Sequence, residues 1–295
     1  MAGNTQDEIA RKLGVSRQSA QRLVSLAVSE KLVKVRLDHP IAKCMELAHG
    51  LTQKFGLVTC EVAPTDPDAP TALTGIAQLA ASEIERILKS DHPKIIALGT
   101  GRALRACVEQ LPKMDCPQHR IVSLLGNMMS DGAATPYNVV IRMADRVNAR
   151  HYPMPLPVFA RSIEEKRLLQ QQEAVHNILE LARQADITFV GIGNIGDSAP
   201  LLIDGFVSRE EMRALLKAGG VGEITSWVFD RNGKLIDGLT NDRVASAVLQ
   251  ISPAKPVVAI AVGAQKAEAI LAAMRGSLIN GLITDEATAE QLLNH

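Results

Sequence analysis

The apolar pattern changes character near residue 56. Over residues 5–27 apolar side chains recur at helical intervals: Ile9, Ala10 and Leu13 in one segment, then Ala20, Leu23, Val24 and Ala27 in the next. Beyond that point short apolar runs alternate with amphipathic stretches. The runs predict strands over 57–63, 94–98, 120–125, 187–192, 257–262 and 282–284. The amphipathic stretches predict helices over 75–90, 102–111, 162–184, 208–218, 265–275 and 285–293. Between the two regions, "IAKCMELAHGLTQKFG" predicts a joining helix, and "YPMPLP", residues 152–157, a stiff extended connection. Apolar strands alternating with helices predict an α/β fold on a parallel sheet covered on both faces. The expected division is a helix-turn-helix over 1–37, a linker helix over 38–55 and an α/β body over 56–295.

The first region has the spacing of a helix-turn-helix. Small Ala10 lies four residues before Gly14, which can stop the first helix at positive φ. Ser16 can cap the second helix. A small residue and a glycine let two helices cross closely, which frees the outer N-terminal face of the second for a major groove. That face carries Ser16, Arg17, Gln18, Gln21 and Arg22. Arginine can fork to guanine, glutamine can pair with adenine and serine can hold a phosphate. "KLVKVRLD", residues 31–38, alternates apolar and basic residues, which suits a wing strand. Only "MAGN" precedes Thr5, so the supporting helix of such domains is expected to be missing or its packing supplied by a partner.

Ligands of parallel α/β sheets sit at the C-terminal ends of strands, and three such ends stand out. "IIALGTGRAL" runs from strand through Gly99-Thr100-Gly101 into a helix. Backbone amides at a helix N-terminus suit an anion, with the Thr100 hydroxyl and the Arg102 charge beside them. "SLLGNMMSDG" ends another strand at Gly126-Asn127. "AIAVGAQKAEAI" sets Lys266 in the first turn of a helix after Gly263, against the helix dipole.

The stretch "TFVGIGNIGDSAP" contains Gly191, Gly193 and Gly196 at G-x-G-x-x-G spacing. A dinucleotide turn needs a long helix directly after the third glycine and a strand ending in an acid about 20 residues on. Pro200 and Asp204-Gly205 interrupt this segment, which argues against a dinucleotide-binding turn and leaves the glycines to admit a smaller ligand or to make a turn. The seven histidines are scattered without metal-ligand spacing, and there is no G-x-S-x-G elbow.

Charge adds one refinement. The chain is neutral overall, but residues 1–36 carry seven basic side chains against three acidic ones, a net +4 that points to an anionic partner at that end. No apolar run reaches the roughly 18 residues of a membrane span, and no signal-peptide core is present. Four cysteines without paired spacing are expected to be reduced thiols in a cytoplasm.

These segments together resemble the SorC/DeoR-type sugar-binding transcriptional regulators over nearly the whole chain. The resemblance lies in "TQDEIARKLGVSRQSAQRLVSLA", "GTGRAL", "PMPLPV", "GIGNIG", "GGVGEITSWVFDRNGKLID", "NDRV" and "AIAVGAQKAEAILAAMRGSLINGLITDEATAEQLL", the last being the most specific. It implies a winged helix-turn-helix reader of double-stranded operator DNA. The reader is joined to a Rossmann-like effector domain similar to sugar-phosphate isomerases that does no chemistry and needs no cofactor or metal. It implies a sugar, sugar-phosphate or polyol effector, and a homodimer or homotetramer. The effector loops would be Gly99, Thr100, Gly101, Arg102, Gly126, Asn127, Gly191, Gly193, Glu223, Gly263 and Lys266. Glu223 stands where the family usually has aspartate after its "GAVG" turn, keeping the carboxylate with a longer reach. The alternative is a sugar-phosphate isomerase or deaminase with a helical arm, with Glu223 or Asp204 as base and Lys266 as anion clamp.

Overall fold

The computed structural model of the chain describes residues 5–29, 41–65, 73–129, 131–135, 137–249 and 255–295. The N-terminal periods form α1 (Gln6–Leu13) and α2 (Arg17–Ser29). Thr5 and Glu8 cap α1 reciprocally, each donating its backbone N–H to the other's side chain. Gly14 closes the helix at φ 65°, and the Ser16 hydroxyl accepts the Ser19 N–H at 3.1 Å to start α2. Among the described residues of this pair only Ala10 and Ala20 are buried. Leu13 and Leu23, which stand on the apolar faces of the two helices, are 58% and 46% exposed. Two crossing helices cover only the strip where they touch, and among the described residues nothing covers their outer sides. The expected wing over 31–38 and the boundary at 37/38 lie outside the described residues.

The body begins with α3 (Ile41–Phe55), then β1 (Thr59–Ala63), α4 (Thr74–Leu88), β2 (Ile95–Leu98), α5 (Arg102–Gln110), β3 (Arg120–Met128), α6 (Val139–Val147) and β4 (Arg150–Pro157). It continues with α7 (Ile163–Gln170), α8 (Glu173–Arg183), β5 (Ile187–Val190), β6 (Gly193–Asn194), α9 (Pro200–Ile203), α10 (Arg209–Lys217), β7 (Gly220–Ile224) and β8 (Trp227–Asp230). It ends with β9 (Val257–Ile260), α11 (Ala267–Arg275), β10 (Gly281–Asp285) and α12 (Glu286–Asn294). Seven strands form one parallel sheet in the order β4-β3-β2-β5-β9-β10-β1.

Strict alternation along these strands explains their continuous apolar runs. Ile96, Leu98, Phe189, Val258 and Ile260 join one core with Ile84 of α4, Leu104 of α5 and Met143 of α6. Their neighbours Ile95, Ala97, Val190, Val257 and Ala259 face the opposite core, shared with Leu51 of α3, Leu179 of α8, Ile270 of α11 and Leu292 of α12. A sheet buried on both sides has no polar face to show. The joining helix α3 is therefore packed into the body, and Lys43 pairs with Glu286 and Glu290 of α12 at 2.7 and 2.5 Å.

Four expectations need correction. The stiff connection at 152–157 is part of strand β4, which pairs only with β3. An edge strand tolerates Pro153, Pro155 and Pro157 because one row of its amides needs no ladder partner. Strand β3 does not end at 125 but runs through Gly126 and Asn127. Gly126 is required there, since a Cβ would strike the Leu156 carbonyl and the Pro157 backbone. The single helix over 162–184 is two, α7 and α8, parted where Gln172 turns extended with ψ 130°. Finally, α6 and a small antiparallel sheet β6-β7-β8 are added. That sheet has a core of its own, with Leu201, Val207, Met212, Leu215 and Val228.

Candidate functional site

Strand order reverses between β2 and β5: β3 and β4 follow on one side of β2, β9 and β10 on the other side of β5. At such a switch point the loops leaving the strands turn to opposite faces and open a crevice at the carboxyl ends. The two loops that leave here are Gly99-Thr100-Gly101 and Gly191-Ile192. They touch: a Cβ on Gly191 would lie 2.7 Å from the Thr100 carbonyl oxygen. The amides of Thr100, Gly101 and Arg102 open the nine-residue helix α5, whose dipole favours negative or acceptor groups there. The amide of Gly99 is already donated to Phe189 O at 2.8 Å.

The small sheet supplies the next wall. Gly193 pairs directly with Glu223, whose carboxylate occupies the space a Cβ on Gly193 would need. Only glycine permits this approach. Glu223 Oε2 accepts the Ser226 N–H at 2.7 Å. Burial pushes the Glu223 carboxyl above its ordinary range, while that hydrogen bond and the charge of Lys266 oppose the shift. Burial in turn pushes the Lys266 ammonium down, opposed by Glu223 and assisted by Arg102. These three charges therefore share one crevice.

Lys266 ends a short 3₁₀ turn, Ala264–Lys266, that precedes α11 after β9. The Gly263 amide donates to Thr288 Oγ1 at 2.9 Å, so it serves the loop itself rather than a ligand. Gly126 and Asn127 lie inside β3 and face Gly99 and Thr100 across a cavity of about 30 Å³, room for a water molecule.

Three groups here escaped the sequence reading. The Tyr137 hydroxyl donates to Asp204 Oδ2 at 2.6 Å, and the Arg102 guanidinium lies beside the same hydroxyl. Burial first and the Asp204 carboxylate second push the Tyr137 phenol up. The sequence offers Asp204 as a turn residue or a base and does not single out Tyr137. Its only signal is rarity, since the chain has two tyrosines and this one sits in a loop of small residues. Thr225 and Ser226 form the β7–β8 turn with φ 49° and 72°. That conformation normally falls to Asn-Gly, and two other residues there store strain of about 1–3 kcal/mol each. The Thr225 hydroxyl is buried without a partner, and its methyl lies 3.1 Å from where a Cβ of Gly99 would project. A positive-φ threonine cannot be read from residue type.

The third glycine of G-x-G-x-x-G, Gly196, leads to a four-residue helix, α9, so the long helix of a dinucleotide site is absent here. Among the described residues no histidine, cysteine and carboxylate group could hold a metal, and all four cysteines are free. No helix among them is long and apolar enough to cross a membrane.

At the other end of the chain Ser16, Arg17, Gln18, Gln21 and Arg22 are all exposed on the first turns of α2. Arg17 Nε lies 3.5 Å from Asp7 Oδ1. An ion pair so exposed is worth about 1 kcal/mol at most and yields readily to a stronger anion. The Ser16 hydroxyl is engaged with Ser19.

Residues 39–294 match the Sugar-bind family, a sugar-binding domain. The chain is similar to the erythritol catabolism regulatory protein EryD of Brucella abortus, 33% identical over 99% of this chain and 93% of that one. It is 30% identical to the transcriptional regulator LsrR of Klebsiella pneumoniae over 99% of this chain and 88% of that one. Its fold resembles the full-length sorbitol operon regulator SorC from Klebsiella pneumoniae, with a TM-score of 0.74 at 27% identity, covering 98% of this chain and 94% of that one.

Proposed function

The chain belongs to the SorC/DeoR-type family of sugar-binding transcriptional regulators, and from that premise we propose how its two ends divide the work. The protein is a sugar-responsive, DNA-binding regulator of carbohydrate or polyol catabolism. Residues 1–37 are its reading head, 38–55 the joining helix and 56–295 the effector domain. On α2, Arg17, Gln18, Gln21 and Arg22 read base edges while Ser16 holds a phosphate. The chain acts in the cytoplasm as a dimer or tetramer, because one short helix pair covers only one half-site and operators pair half-sites a helical turn apart.

The effector sits at the switch point. Gly99, Thr100, Gly101 and Arg102 present donors from one loop. Gly191 and Gly193 bring a second backbone close, Glu223 accepts hydroxyls, and Lys266 beyond Gly263 donates to the opposite side. Gly126 and Asn127 close the far end. The observation that carries this reading is the approach of Glu223 to Gly193, where its half-buried carboxylate fills the space a Cβ would need and feels the charge of Lys266. Effector binding shifts how the subunits pair and so the spacing of the reading heads, a coupling that runs equally in both directions.

A buried carboxyl with a raised pKa is also what a proton-transferring base would show, so an isomerase-like activity is the second reading. One experiment separates them. Thermal unfolding of the full chain is followed with sugars, sugar phosphates and polyols, and every stabilising compound is then checked for turnover. The regulator reading expects a ligand that raises the midpoint and is recovered unchanged. At 100 times its dissociation constant the gain is about 2.7 kcal/mol. Consumption of the compound would favour the enzyme.

A further inference from the structure

Each cation at the switch point has a carboxylate in its neighbourhood. Lys266 faces Glu223 within the crevice. Arg102, the other cation, lies beside the Tyr137 hydroxyl, and that hydroxyl donates to Asp204 at 2.6 Å. Tyr137 is 8% exposed and comes from the loop before α6, while Asp204 ends α9 beside the small sheet. The relay thus spans the two walls of the crevice. It leaves Arg102 with a carboxylate already at the end of its hydrogen-bond chain. A dianionic phosphate at the α5 N-terminus would gain from the helix dipole and from two cations. It would also stand in a partly desolvated site with two carboxylates, where like charges repel strongly.

A polyol meets no such conflict. Each of its hydroxyls both donates and accepts, so carboxylates, cations and amides all find a partner in it. The Thr225 hydroxyl, 4% exposed and without a partner, adds one more uncharged hydrogen-bonding group beside Gly99. We infer that the site takes an uncharged polyhydroxylated effector, an open-chain polyol or free sugar, and that the Arg102–Tyr137–Asp204 relay selects against its phosphorylated form. This rests on the placement of the effector at the switch point given above.

The test is calorimetric titration of the full chain with matched pairs: erythritol and erythritol 4-phosphate, ribose and ribose 5-phosphate, sorbitol and sorbitol 6-phosphate. The free member of the best pair is expected to bind at least tenfold more tightly than its phosphate. In Asp204→Asn the preference is expected to shift at least tenfold toward the phosphate, and in Tyr137→Phe part of the way. Tighter binding of the phosphorylated member by the unaltered chain overturns the inference and leaves the sugar-binding site standing. An unchanged preference in Asp204→Asn overturns the role of the relay. Heat from neither member of any pair overturns both this inference and the site on which it rests. Midpoints of thermal unfolding close to that of the unaltered chain confirm that each variant is folded.

Discussion

On the proposed reading the helix pair and the switch-point crevice share one task, holding a polar partner, and are built for it in opposite ways. On α2 the functional side chains stand in water, and the pair buries only Ala10 and Ala20 among its described residues. Each contact there is weak, flexible and screened by salt, so strength must come from several contacts and from a second reading head. In the crevice the charges are few: Glu223 and Lys266 are half-buried, and Arg102 at the start of α5 is exposed. Glu223 is held by Ser226 and fills the space left by Gly193. A buried group is costly to leave unpaired, so a small ligand that satisfies it gains selectivity from a handful of contacts. Fully exposed charges suit a long polyanion, and half-buried charges set against fixed backbone suit a small ligand of many hydroxyls.

The contrast can be broken in four places. The largest effect is expected from Gly126→Ala, where the new methyl meets the backbone of β4 rather than a movable side chain. A loss of about 3 kcal/mol in urea unfolding is expected, at the upper end of overpacking costs. Next is Lys266→Ala, which is expected to weaken effector binding by about 10–100-fold while operator binding without effector stays within about twofold. Calorimetry and fluorescence anisotropy check the two halves separately. Arg17→Ala is expected to weaken operator binding about tenfold and to lower the salt slope by about one, with effector affinity unchanged. An effect of Arg17→Ala on effector affinity without DNA would erase the division between the two regions.

The smallest expected effect concerns pH. Glu223 has a folded-state pKa above its ordinary 4.5, so the folded chain holds its proton longer than the unfolded chain does. Its contribution to stability is full below the ordinary value and is lost as pH rises through the raised one. Denaturant midpoints are therefore expected to decline slightly as pH rises above about 4.5, and Glu223→Gln is expected to remove that part of the decline. An identical profile in the variant would mean that Glu223 is not the group responsible.

The two regions also differ in how legible they are. The stop of the first N-terminal helix and the start of the second follow from Gly14 and Ser16, because caps are local and act through residue type. The exposure of Leu13 and Leu23 does not follow, since periodicity marks an apolar face without saying what covers it. In the body, six of the seven sheet strands announce themselves by short apolar stretches, β1 with Glu61 inside it. The edge strand β4 hides behind Pro153, Pro155 and Pro157, which read as a connection until its place in the sheet is known. In the small sheet β6 and β7 are short and glycine-rich and β8 has four residues, too few to show a period. For the site, glycines and lysine at strand ends are visible as departures from local preference. The Tyr137–Asp204 bond joins residues 67 positions apart, and no local rule reaches that far.

The most direct test of the account joins its two halves in one titration. Binding of the full chain to operator DNA is followed by anisotropy with and without the tightest-binding member of the polyol and sugar panel. The same measurement is made on Lys266→Ala. The account predicts that the ligand changes operator affinity by at least about fivefold in the unaltered chain, the lower end of allosteric coupling, and by less than twofold in the variant at the same ligand concentration. A variant that responds as fully as the unaltered chain would place the effector somewhere other than the switch-point crevice.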